Sequence, residues 1–152
     1  MSLFHTLITQ VADNLKAHVD IDASNVMVSR LKKIRLNERP FYAVYLGADE
    51  PIGDFGPQNI NFLDHNVQVM IDIIVDVDAS NNLELALQNA RTAAHNALMT
   101  DHTQGLSFVM QTIPNGAGEP ILSLESEVKT ASYRTEWVFQ IRTSISDLTT
   151  VV

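Results

Sequence analysis

Residues 67–77 constrain this chain more than any other stretch. Their odd positions carry Val67, Val69, Ile71, Ile73, Val75 and Val77, while the even positions from 68 to 78 include Gln68, Asp72, Asp76 and Asp78. A side-chain period of two sends one set to a buried face and the other to an open one, which predicts a central strand covered on one side. The residues that follow change period. Leu83, Leu87, Ala90, Ala94, Ala97 and Leu98 fall in one arc of a 3.6-residue wheel, and Asn81 with Glu84 has the pattern of a capping box. The alanines let a helix lie close on a sheet. A strand and its covering helix make a scaffold, and no catalytic motif appears there or elsewhere in the chain.

The remaining segments supply partners for that pair. Leu3, Phe4, Leu7, Ile8, Val11 and Leu15 share one side of a helix over 3–16, with Ser2 placed to cap it. Residues 26–31 read as a strand whose alternation fails near Arg30 and Leu31, as at a bulge or an exposed edge. Residues 41–46 are apolar on both faces and belong inside the sheet. The stretch 47–63 holds Gly47, Gly53, Gly56, Pro51 and Pro57 together with Ile52, Phe55, Ile60 and Phe62. An irregular loop of that length with apolar side chains is expected to dock, on a partner subunit or on its own domain.

After a turn at 101–105, strands are expected at 107–113 and 121–127, joined as a hairpin through the turn-rich 114–120. A last strand runs over 130–145, with Tyr133, Trp137, Phe139 and Ile141 on one face and Arg134 and Arg142 on the other. Opposite charges favour pairing across strands, so this strand is expected beside 67–77 and antiparallel to it, with Arg134 and Arg142 near Asp72 and Asp76. The tail from 147 ends in Val151 and Val152 and is expected to cross to a neighbour or to fray. The element order is that of an α+β fold: a mostly antiparallel sheet, two helices on one face and a protruding β-hairpin.

With 152 residues, the chain is expected to form one domain, residues 1–152, able to bury a core without metals or disulfides. The absence of cysteine excludes disulfide scaffolds, thiolate metal sites and cysteine nucleophiles. No apolar run approaches a membrane span, and the first residues lack the pattern of a signal peptide, so a cytoplasmic protein is expected. The net charge of −8 opposes non-specific binding to nucleic acid. That charge is unevenly spread. Arg30, Lys32, Lys33, Arg35 and Arg39 lie within ten positions with only Glu38 among them, a segment of +4 that leaves −12 for the remainder.

Searches for chemistry return scaffold readings. Asp72, Asp76 and Asp78 with His65 are the best metal candidates, yet spacings of two along a strand separate ligands by roughly 6.5–7 Å, too far for one small cation. His95 and His102 are seven apart, not the four that presents two imidazoles on one helix face. The glycine-containing segments at 47–53 and 115–120 lack a Walker lysine and dinucleotide spacing. No serine lies in a nucleophile-elbow context. No catalytic residue, cofactor or metal is therefore expected. The basic segment could touch DNA phosphates, but no aromatic residue interleaves with its charges and no nucleic-acid-binding motif surrounds it.

The layout as a whole resembles the tail terminator, or tail completion, proteins of phages, and within them those of Mu-like contractile-tail phages and prophages. It covers roughly residues 3–148: an opening amphipathic helix, early strands with a mobile loop, a strand feeding an alanine-rich helix, a long hairpin and a long closing strand. The resemblance implies a non-enzymatic homo-oligomeric ring, usually of six subunits, that caps the tail tube protein and then meets the head connector. Such a protein would act in the host cytoplasm during assembly and end in the virion tail. On this reading Arg30, Lys32, Lys33, Arg35, Arg39, Ile52 and Phe55 belong to a subunit interface. Asp72, Asp76 and Asp78 would form an acidic lumen that passes DNA without binding it. A head–tail adaptor on a related scaffold, or a small α+β enzyme or ligand-binding domain, are the alternatives.

Overall fold

Two amphipathic helices, a short 3-10 turn at Ala23–Asn25 and a six-stranded sheet make up the regular structure of the described residues. It is described by a computed structural model for residues 1–29, 40–52, 62–76, 82–123, 129–144 and 146–151. Helix α1 spans Leu3–Lys16, and the Ser2 hydroxyl caps it by accepting from the His5 backbone N–H. Helix α2 spans Leu83–Met99. Its cap is Asn82, whose side chain accepts from the Leu85 N–H at 3.2 Å, one position later than the expected Asn81, which lies outside the described residues. Glu84 does not close a box but accepts from the Gln88 side chain at 3.0 Å.

The strands are β1 (Val26–Val28), β2 (Phe41–Ile52), β3 (Phe62–Asp76), β4 (Val109–Ala117), β5 (Ile121–Ser123) and β6 (Thr130–Ser144). Their order is β1-β2-β3-β6-β4, with β5 also paired to β6. Among the described residues β1 and β2 run parallel and the other pairings are antiparallel. This is an α+β fold with a mostly antiparallel sheet. The alternating residues Val67, Val69, Ile71 and Ile73 of β3 and Tyr133, Trp137, Phe139 and Ile141 of β6 form one core with Leu7, Val11 and Leu15 of α1 and Leu87, Ala94 and Leu98 of α2. Both helices thus cover the same face, and each large buried side chain there contributes about 1.5–3 kcal/mol.

As charge pairing implies, β3 and β6 are neighbours and antiparallel, matched from Phe62 with Ser144 to Asp76 with Thr130. Three sequence expectations are corrected. The strands at either side of 114–120 do not form a hairpin with each other. β4 and β5 lie one after the other along the same border of β6, and β5 pairs antiparallel with β6, the strand that follows it. Pro114 to Ala117 continue β4 through a register shift, and residues 118–120 supply a break between two segments of one sheet border rather than a reversal.

Irregularity was also expected from Gly47, but β2 continues to Ile52 and β3 begins at Phe62. A register shift between Leu46 and Asp49 absorbs Gly47 and Ala48 as a bulge. Glycine suits that bulge because a Cβ at position 47 would crowd the Gln68 backbone oxygen and Cβ, each 3.1 Å away. The remainder of the expected docking loop, residues 53–61, lies outside the described residues. Finally, the tail is tied back as far as Thr150, the Leu3 N–H donating to Leu148 O at 3.1 Å and the Ser144 N–H to Thr150 O at 3.2 Å, while Val152 lies outside the described residues.

Candidate functional site

The face of the sheet away from the helices carries most of the polar side chains that the sequence pattern singles out. Asp72 is only partly exposed and accepts two hydrogen bonds from Arg134, Nε to Oδ1 at 2.7 Å and Nη2 to Oδ2 at 2.9 Å. That bonding raises the Arg134 guanidinium above its ordinary pKa. Asp64 and Arg142 repeat the arrangement at 2.7 and 3.0 Å, and the Arg142 guanidinium lies 3.9 Å from the centre of the Phe62 ring. Arg142 was expected near Asp76, but the register sets Asp76 opposite Thr130. Each pair is neutral, so Asp72 brings no net charge to this face. Ile52 ends β2 opposite Asp64 and is 37% exposed. Arg30, Lys32, Lys33, Arg35, Arg39, Phe55 and Asp78 lie outside the described residues.

Between the two ion pairs runs a belt without a cation. Glu50, Asn66, Gln140 and Gln111 occupy one cross-strand row over four strands, and the Gln111 side-chain N–H donates to Gln140. Next to the row is a shallow depression of about 220 Å³ lined by Ala48, Glu50, Asn66, Gln68, Asn115 and Val138. Asn66 Oδ1 is shielded from solvent and has no hydrogen-bond partner. An acceptor left in that condition costs about 1–3 kcal/mol. The opposite end of the face is apolar, where Phe41, Ala43 and Ile74 cluster with Met27 and Tyr45.

His65 belongs to neither a metal site nor the open face. It takes an odd position of β3, is 2% exposed, and packs edge-on against Phe4 at 5.5 Å. Its Nδ1 lies 2.8 Å from Asp49 Oδ1 and its Nε2 3.0 Å from Thr143 Oγ1. With a carboxylate at Nδ1, that nitrogen holds the proton and Nε2 accepts from the threonine hydroxyl. The order of carboxylate, imidazole and hydroxyl is that of a nucleophilic triad, but Thr143 is fully buried and its oxygen cannot meet a substrate. The three side chains tie β2, β3 and β6 together at one end of the sheet. Sequence reasoning missed this set because its members come from three separate strands. The one available signal is the parity of His65, which matches the buried valines.

Polar side chains also join the helices to the sheet. Gln104 is 2% exposed, and its Oε1 accepts from Asn14 of α1 at 2.7 Å. Its Nε2 is within 2.7–3.0 Å of Leu98 O, Asp101 O and Thr112 Oγ1. A cleft of about 340 Å³ opens beside it between the ends of α1 and α2. A second cleft, of about 510 Å³, runs along the alanine side of α2 to Tyr42. Burial, aided by the charge of Asp20, pushes the Tyr42 hydroxyl up to about 12. His95 and His102 are exposed and apart in role, the His95 ring lying 5.7 Å from Trp137 and the His102 carbonyl accepting from Thr112. Among the described residues no group of three or more His, Asp and Glu is arranged to hold a metal ion, and no helix is long and apolar enough to cross a membrane.

No family model and no curated protein sequence matches this chain.

Proposed function

We propose that this chain is a structural protein of phage or prophage tail assembly, whose copies form a ring that caps the tail tube and joins it to the head. The observation that carries the reading is the separation of charge. Ten residues hold +4 and the remainder holds −12. Of the five cations outside that segment, Lys16 pairs with Asp13, Arg134 with Asp72 and Arg142 with Asp64, while Arg91 donates to the Tyr133 hydroxyl. Half of the chain's ten cations thus lie in one short segment, a concentration suited to complement acidic surface on another molecule. A ring joins one face of a subunit to a different face of the next, which is what an uneven charge distribution serves.

A sheet with helices on one side and a broad, largely polar opposite side suits a building block that presents surfaces. Among the polar groups described, those nearest to a catalytic arrangement serve as internal ties, which favours assembly over bond-breaking chemistry. In the ring, Asp78 and Glu136 supply negative charge to a lumen through which DNA passes without sticking. Electron microscopy of the purified protein mixed with polymerised tail tubes tests the reading. Rings seated on one end of each tube support it, whereas bare tube ends at saturating protein overturn it.

A further inference from the structure

We infer that the depression at Glu50 and Asn66 is a socket for a cationic side chain from the basic segment, residues 30–39, of a second copy of this chain; the inference rests on the ring reading above. Three acceptors meet there. Glu50 is exposed and forms no ion pair among the described residues. Asn66 Oδ1, across the strand pair from it, lacks a donor, and the Gln68 side-chain oxygen has only a 3.5 Å bond from the Ala48 N–H. None of the lining residues is a cation. The two arginines of this face are already engaged, each held at Nε and Nη2 by its own aspartate.

A volume of about 220 Å³ fits one ammonium or guanidinium head, with its aliphatic stem resting on Ala48 and Val138. Glu50 has no structural tie and can swing aside, so an arriving N–H group reaches Asn66 Oδ1 and completes a charge-assisted contact with the carboxylate. In a head-to-tail ring, the socket and basic segment of one copy meet different neighbours, so the two need not be close within one chain.

The test uses two full-length variants, Glu50→Lys and the triple variant Lys32→Glu, Lys33→Glu, Arg35→Glu, with folding checked by circular dichroism and association by sedimentation velocity. Each alone is expected to stay dissociated where wild type associates. An equal mixture is expected to associate, because every mixed junction again joins opposite charges. Failure of the mixture overturns the socket. If Glu50→Lys associates like wild type while the triple variant does not, the socket is wrong and the ring reading stands. If wild type itself never associates, both fall. A milder pair guards against misfolding. Glu50→Gln is expected to weaken association about tenfold, the scale of one such contact, and adding Asn66→Asp is expected to restore it. No effect of Glu50→Gln overturns the inference.

Discussion

Arg134 of β6 grips Asp72 of β3 through two parallel N–H···O bonds, and the antiparallel ladder that this pair belongs to sets Arg142 opposite Asp64 eight residues away. The guanidinium is half exposed and the carboxylate largely covered. Solvent screening keeps such a pair to about 0.5–1 kcal/mol. Urea denaturation of Arg134→Ala, Asp72→Ala and the double variant is expected to return a coupling energy of that size, reduced in 1 M salt. Strict additivity would show that the two side chains do not interact.

The His65 tie is expected to matter more. Thr143→Val removes the hydroxyl from Nε2 at constant shape and leaves a buried acceptor unmatched, a loss of about 1–3 kcal/mol in unfolding free energy from urea titration. His65→Ala adds a cavity beside Phe4 and raises the loss to about 3–5 kcal/mol. Nitrogen NMR is expected to find the proton of the neutral ring on Nδ1. A proton on Nε2 would contradict the assigned bonding.

Tyr42 predicts the alkaline limit of stability. Its hydroxyl ionises near 12 in the folded chain and near its ordinary 10 once unfolded. Between these values the unfolded state binds fewer protons, so stability that is full below pH 10 falls as pH rises toward 12. The loss is on the order of 2 kcal/mol. Tyr42→Phe is expected to flatten this part of the stability profile. An unchanged slope in the variant would assign the alkaline loss to other groups.

Gln104 has a left-handed backbone, φ 57°, next to Gly105 at 73°. A non-glycine residue is held there by four polar contacts reaching α1, α2 and β4. Gln104→Ala is expected to cost about 2–4 kcal/mol by leaving the Asn14 amide and the Leu98 carbonyl without their partner. A loss under 0.5 kcal/mol would show that the turn, not the side chain, fixes this corner.

Long, regular patterns were legible in the sequence. Alternation in β3 and β6 announced both strands, their shared core face and their adjacency, and the apolar arcs placed α1 and α2 to within a residue or two. Setting Asp72 against Arg134 in an antiparallel ladder fixes every other partner, which excludes Arg142 from Asp76 and assigns it to Asp64. The bulge at Gly47 was hidden because a glycine followed by acidic residues and a proline reads as a turn, while the neighbouring Gln68 that rewards glycine is distant in sequence. The same holds for the border shared by β4 and β5. Turn residues say that a strand is interrupted, and only the partner strand decides whether the chain reverses. For the functional surface, composition exposed the charge imbalance, but the acceptor row at Glu50 and Asn66 depends on a register shifted by that bulge.

The central claim is that copies of this chain recognise one another through opposite charge on different faces. Sedimentation velocity of the wild-type protein across a salt series tests it most directly. The account predicts a closed oligomer at low ionic strength that dissociates toward single subunits as salt screens the contacts. A protein that sediments as a monomer at every salt concentration and every protein concentration reached would contradict it.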